Sequence, residues 1–332
     1  MKAIRFIAWI LAWFGAFVCA AWATGALYFD FPILTLRAPV AIMFLIVLFV
    51  SVIFIRGKLR RLVAALGGFA LVLGWWLTLK PSNNRPWPPD VAQTAWAAID
   101  GDEFTIHNVR NCDYRTEADY TPHWETRTVR ISQITGIDLA VNYWGSPWIA
   151  HPIVSFQFAD APPICFSIET RKKLGQTYST IGGLYRQFEL IYIVADERDV
   201  IRVRTNYRKG EDIYLYRTTI SPVDARERFL EYIRSLNVLR DKARWYNAIT
   251  TNCTTSIRTQ HPPNERLPWD WRILLNGKGD ELMYERHLIV TGRLPFDELK
   301  ARSLINSRAQ LADASPDFSK LIRVGLPNPM QP

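Results

Sequence analysis

The chain has 332 residues, 49% of them hydrophobic, and a formal charge of +9. Spread over a soluble surface that charge would point to nucleic acid, but residues 1–80 hold 8 Lys and Arg against the single acid Asp30, leaving only +2 for the rest. Nucleic acid is therefore not an expected partner. The four cysteines, Cys19, Cys112, Cys165 and Cys253, show no CxxC spacing, which argues against a zinc ribbon or a disulfide framework. A Cys112–Cys165 disulfide stays open for an oxidising compartment.

Three uncharged runs come first. "FIAWILAWFGAFVCAAWATGALY" (6–28) would be about 35 Å long as a helix, enough for a hydrocarbon layer of about 30 Å. "APVAIMFLIVLFVSVIFI" (38–55) and "LVAALGGFALVLGWWLTL" (62–79) would each reach about 27 Å, and the basic "RGKLRR" separates them. These sequences predict three transmembrane helices in residues 1–80. The basic connector and the Lys2/Arg5 end belong in the cytoplasm, so the N-terminus is expected there and everything beyond Lys80 outside. A cleavable signal peptide ending near "AWA" (21–23) is the rival reading of the first span, and it leaves the sidedness unchanged. "PSNNRPWPPD" (81–90) reads as a Pro-rich linker, placed at 81–100.

Residues 101–300 are expected to form one α+β domain, an antiparallel sheet packed with helices. "DEFTIHNVRNCDYRT" (102–116) and "TVRISQITGIDLAVNYW" (128–144) alternate as strands do. "HPIVSFQF" (151–158) and "ICFSIETR" (164–171) predict a hairpin around "ADAPP". With the turn centred on Ala161, Ser155 opposes Ser167 and His151 opposes Arg171. That register puts His151, Ser155, Ser167, Glu169 and Arg171 on one face and the aromatics on the other. A solvated sheet face is the plain alternative for such a polar row. "ELIYIVAD" (189–196), "DVIRVRTNY" (199–207) and "DIYLYRTTI" (212–220) predict further strands, and "DERD" (196–199) reads as charged turn residues or as acids in ion pairs with Arg202 and Arg204, in preference to a metal site.

"SPVDARERFLEYIRSLNVL" (221–239) is the best soluble helix: Ser221 caps, Pro222 suits the first position, and Phe229, Leu230, Ile233 and Leu236 share one face. A second helix should begin within "YNAITTNCTTSI" (246–257) and end at "HPP" (261–263). Residues 266–289 read as loop and short helix, and 301–332 as a C-terminal tail, loose from Ser315.

Cys253 draws the eye because Asn252 precedes it as a helix cap. At the first helical position, unpaired backbone N–H groups and the helix dipole favour a thiolate. A thiol of pKa about 8.5 is roughly 3% ionised at pH 7, whereas one lowered to about 6 is roughly 90% ionised. The same N–H groups suit an oxyanion. His107, His123, His151, His261 and His287 are the candidate bases. His261 lies eight residues beyond Cys253, about 12 Å along a helix, too far for a hydrogen bond. His151 fits best, since Glu169 shares its sheet face and can orient the imidazole.

Several segments carry a resemblance: "WIAHPIVSFQF", "FSIETRKKLGQTYS", "VADERDVIRVRTNYR", "IYLYR" and "YNAITTNCTTSI". Together, from about Asp102 to about Leu294, they resemble the bacterial envelope proteins defined by the Lnb N-terminal periplasmic domain, named after an alternative type of lipoprotein N-acyltransferase. The order of a strand histidine and a later helix-start cysteine is similar to circularly permuted papain-like folds, including lecithin:retinol acyltransferase-like enzymes and permuted NlpC-like amidases. The resemblance implies a Cys253/His151 pair with Glu169 as third member. Asn252, Thr254, Ser167 and Arg171 are expected to support it. One departure stands out: three spans precede the domain here, whereas the name-giving acyltransferases carry theirs after it.

The leading expectation is a thiol acyltransferase or hydrolase on the outer face of a bacterial inner membrane, acting on phospholipid or lipoprotein through a Cys253 acyl-thioester. A cysteine peptidase or amidase acting on cell-wall peptides is the enzymatic alternative, and a tethered binding domain without turnover is the other. Trp144, Trp148, Trp269 and Trp271 suit the lipid headgroup level. No phosphate loop, dinucleotide motif or metal cluster is evident, so no cofactor or metal is expected.

Overall fold

The structure, a computed structural model, describes residues 2–260, 266 and 268–328. These residues form two compact units. The first comprises residues 2–82 with segments 176–189 and 245–248, and its three helices, α1 (Lys2–Asp30), α2 (Arg37–Phe54) and α3 (Lys58–Thr78), are long and apolar enough to cross a membrane. Small residues let them approach: Ala23, Ala26 and Ala41 are buried between the helices, with Trp22, Phe69 and Trp76 packed around them. Most of the remaining apolar side chains, such as Phe14, Ile46 and Leu71, point outward, as a lipid solvent requires.

The second unit is built on an eight-stranded sheet. Its members are β1 (Trp96–Asp100), β2 (Glu103–Arg110), β5 (Trp124–Arg130), β6 (Ile134–Trp144), β7 (Ala150–Phe158), β8 (Ile164–Arg171), β9 (Glu189–Ala195) and β10 (Glu211–Arg217). The order is β1-β2-β9-β8-β7-β6-β10, with β5 paired to β2. The short β3 (Asp113–Tyr114) and β4 (Tyr120–Thr121) pair separately. The pairings β1/β2, β2/β5, β6/β7, β7/β8 and β6/β10 are antiparallel, while β2 and β9 run parallel, so the sheet is mixed.

Two layers of helix cover it. On one face, Phe156 and Phe166 meet Phe229 and Tyr232 of α5 (Pro222–Asp241) edge to face. Ser221 caps α5 as expected, its hydroxyl accepting from the Asp224 N–H. On the other face, Ile153 and Cys165 pack with Val200 of α4 (Glu197–Val200), Ala309 of α9 (Asn306–Leu311), Phe318 of α10 (Phe318–Leu321) and Ile322. In chain order, α6 (Cys253–Gln260), α7 (Gly279–Glu285) and α8 (Phe296–Ser303) come between α5 and α9.

Four expectations change. The segment 199–207 is helical, not a strand: Asp196 caps α4 by accepting from the Arg198 N–H, and a π-helical turn, Val203–Tyr207, follows. Its alternating valines and arginines mimic a strand, but Val200, Ile201 and Val203 are all buried on one side of a helical path. The "DERD" acids also choose other partners. Asp196 pairs with Arg127, Glu197 with Arg323, and Asp199 with Arg110.

The tail is not loose, because Phe318 and Ile322 enter the core and Arg323 bridges the buried Glu197 and Asp138. Nor does the Pro-rich stretch hang free: Asn83 donates to the Leu239 and Arg240 carbonyls, and Trp87 is buried beneath the Arg171 guanidinium, 4.3 Å from its ring centroid. Cys112 and Cys165 are buried free thiols in different clusters, with no bond between them.

Candidate active site

The hairpin carries the site. In β7 and β8, Ile153 opposes Ser167 and Ser155 opposes Cys165, two residues from the expected pairing. A shift of two keeps every side chain on its face, so the polar row survives, and it draws His151 towards Glu169 instead of Arg171. The row is buried, not solvated: Ser155 and Ser167 are fully enclosed, and Ser155 donates to Glu197.

His151 Nε2 lies 2.7 Å from the Ser167 hydroxyl oxygen, and that hydroxyl donates to Glu169 Oε1 at 2.6 Å. Arg204, from the π-helical turn, donates to the same carboxylate oxygen at 2.9 Å. Proton counting fixes the imidazole tautomer. The Ser167 hydroxyl has one proton and spends it on Glu169, so it must accept from His151 Nε2–H, which leaves Nδ1 with a lone pair.

Charge follows from burial. Burial pushes the Glu169 carboxyl up more than any single neighbour pulls it down, but the Arg204 guanidinium, His151, Arg110 and the Ser167 hydroxyl together outweigh it, and the carboxyl stays below its usual range. Burial pushes His151 down to about 4 against the pull of Glu169, and Arg204 and Arg208 add to the fall. The ring is therefore neutral at pH 7.

Cys253 opens α6 as anticipated, and Asn252 caps it: the Asn252 side-chain oxygen accepts from the Thr255 N–H at 2.8 Å and the Thr255 hydroxyl at 3.0 Å. The expected acidic thiol is not what the environment produces. Burial raises the thiol above its ordinary value and Glu169 raises it further, while the Thr254 hydroxyl and the N–H groups of Thr254 and Cys253 pull less strongly the other way. The helix end loses to desolvation.

The hydrogen bonds of Cys253 Sγ run to Thr254, whose Oγ1 is 3.8 Å away, and to Asn276, whose Nδ2 is 3.6 Å away. Asn276 is the link that sequence reasoning missed. Its Nδ2 also donates to the Thr254 hydroxyl at 2.8 Å, and its Oδ1 accepts from the N–H of Ala150, the residue before His151, at 2.9 Å. One amide thus ties the start of α6 to the start of β7, and α6 packs on β7 and β8. Its only sequence signal is an Asn-Gly pair in a loop. Gly277 is obligatory there, since a Cβ would lie 2.4 Å from the Pro147 carbonyl oxygen.

Arg204 was also missed, because its segment looked like a strand. Arg171 stands apart from the site, donating instead to the Val91 and Ala92 carbonyls and to Thr94. His107 stacks on Trp96 with centroids 3.9 Å apart, His123 is in the loop before β5, and His287 follows α7. His261 and the expected helix stop at 261–263 lie outside the described residues.

Three buried polar atoms at or beside these groups have no hydrogen-bond partner among the described residues: Nε of Arg204, Oδ1 of Asn142, which faces His151 across β6/β7, and the Tyr232 hydroxyl, whose proton affinity is raised by burial and then by Tyr192 and Cys253. Ser256, one turn beyond Cys253, lines a cavity of about 210 Å³ with Tyr192, Ser235, Leu239 and Arg244. A larger cavity of about 680 Å³, bordered by Asp138, Arg217, Ser221 and His287, shares none of the residues of this site.

Residues 120–277, which include His151, Glu169, Cys253 and Asn276, match the family model of the Lnb N-terminal periplasmic domain. The match covers 158 of the 332 residues, just under half of the chain. With three apolar helices ahead of it, the protein is a membrane protein whose C-terminal domain is periplasmic. No curated protein and no solved structure matches the chain.

Proposed function

We propose that the periplasmic domain is a thiol acyltransferase or hydrolase with Cys253 as nucleophile and His151 as its base. The observation that carries this reading is the buried relay Arg204–Glu169–Ser167–His151, which holds the imidazole with Nε2–H tied back and Nδ1 available, beside a capped helix that begins at a cysteine. A buried neutral base and an un-ionised thiol suit proton transfer coupled to attack, not a standing ion pair.

In the first half-reaction, Cys253 Sγ attacks an ester carbonyl as its proton passes to His151 Nδ1. Backbone N–H groups at the α6 start hold the oxyanion. The carbon–oxygen bond then breaks, His151 returns the proton to the departing alkoxide, and an acyl-thioester remains on Cys253. In the second, an amine or water attacks the thioester while His151 takes its proton, and Sγ leaves as thiol. Glu169 stabilises the transient imidazolium through Ser167, and Arg204 keeps Glu169 ionised. A phospholipid donor fits a domain tethered to a membrane, with a lipoprotein amine as acceptor. The basic residues flanking the spans favour the inner membrane with the N-terminus in the cytoplasm.

The test is intact mass spectrometry of the full chain in detergent after incubation with phospholipid. An acyl adduct on Cys253, absent in Cys253→Ala and His151→Gln, is the expected result. Cleavage of cell-wall peptides with no lipid adduct would move the chemistry to an amidase, and full biological function of Cys253→Ala at normal expression would remove catalysis altogether.

A further inference from the structure

Two stretches bordering the site leave large apolar side chains in water. In the β6–β7 connection, Trp148 and Ile149 are 49% and 43% exposed; before α7, Trp269, Trp271, Leu274 and Leu275 are 60%, 50%, 42% and 42% exposed. The two stretches belong together. The Trp148 and Trp271 ring centroids are 6.4 Å apart, and the Gly277 N–H donates to the Trp148 carbonyl at 3.0 Å. A cluster of this kind on a domain in water marks an interaction surface.

Its chemistry selects the occupant. Lys278 Nζ stands 5.9 Å from the Trp148 ring centroid and the Arg272 guanidinium 6.0 Å from that of Trp271, and each is also paired with acids, Lys278 with Glu281 and Arg272 with Asp270 and Glu285. Indole rings and leucines rimmed by paired charges are the side chains that settle at the headgroup boundary of a phospholipid bilayer. The chain supplies that bilayer itself, since its three apolar helices end at Thr78, ahead of the first strand at Trp96. The surface also adjoins the thiol: Asn276, directly after Leu275, donates to Cys253 Sγ.

We propose that the face made by Trp148, Ile149, Trp269, Trp271, Leu274 and Leu275 docks into a phospholipid bilayer, so that Cys253 takes its acyl donor from the membrane interface. The docking stands by itself, and the donor's origin rests on the acyl-transfer reading.

The experiment uses the full chain in nanodiscs of phosphatidylethanolamine and phosphatidylglycerol. A benzophenone side chain replaces Trp148 or Trp269, and control positions are the exposed Val223 and Leu311. Phospholipid adducts at 148 and 269 should exceed those at 223 and 311 by about tenfold. Equal labelling at all four positions overturns the docking face, as does cross-linking to a second copy of the chain.

The triple variant Trp148→Ser, Trp271→Ser, Leu274→Ser should lower Cys253 acylation from bilayer phospholipid about tenfold and leave acylation by the water-soluble ester p-nitrophenyl butyrate unchanged. Equal loss with both esters overturns the interface origin of the donor. Lipid cross-links with no acylation by either ester keep the docking face and remove the acyl-transfer chemistry; acylation without cross-links does the reverse.

Discussion

Burying His151 as a neutral ring should make the protein acid-sensitive in a measurable way. Its pKa falls from 6.5 in the unfolded chain to about 4 in the folded one. A depressed pKa contributes stability in full above 6.5, and that contribution is lost as the pH falls towards 4, because the unfolded state binds a proton that the folded state refuses. Worked through, the loss between pH 7 and pH 4 is about 3 kcal/mol from this one side chain. For a domain of this size that corresponds to roughly 6–12 °C in the unfolding midpoint.

His151→Gln keeps an N–H donor for Ser167 and cannot titrate, so it isolates the effect from the many other groups that change charge. Thermal unfolding of the full chain in detergent, followed by near-ultraviolet circular dichroism at pH 7, 6, 5 and 4, should show wild type losing about 3 kcal/mol more than the variant. Parallel curves for the two proteins would refute a buried neutral imidazole. If acylation of Cys253 is measured in parallel, its acid limb should lie nearer pH 4 than 6.5.

Other perturbations probe the same geometry. Because burial raises the Cys253 thiol, its alkylation by iodoacetamide should be slow at pH 7 and climb through pH 9, and rapid labelling at pH 6 would instead indicate a thiolate–imidazolium pair. Asn276→Ala strips a partner from the Ala150 N–H, Thr254 and Cys253; it should cost about 1–3 kcal/mol in stability and more than tenfold in acylation, and an unchanged rate would deny it a positioning role. Arg323→Met leaves the buried Glu197 without its guanidinium and Asp138 with Arg217 alone, and should destabilise the domain by about 3–5 kcal/mol in chemical denaturation, whereas a loss under 1 kcal/mol would mean the C-terminal segment is dispensable.

The parts of this protein that answer to local physics were legible in the chain. Uncharged runs of membrane-spanning length have one solution in a bilayer, so the three helices emerged within a few residues of their limits. Strand alternation located β7, β8 and β9, and Ser221 and Asn252 announced the caps of α5 and α6. His151, Ser167 and Glu169 shared a face because a side-chain period of two survives a register error of two.

What the chain did not announce was decided by partners far away in sequence. The 199–207 segment has a strand's alternation, yet it winds as helix because Glu197 and Asp199 find Arg323 and Arg110 in the interior. That winding carries Arg204 to Glu169. Asn276 joins Cys253 to Ala150 across a fold that no local pattern encodes. The thiol's own proton affinity was misjudged for the same reason: a helix start is a local feature, whereas desolvation is the sum of everything packed around it, and only the tertiary structure sets that sum.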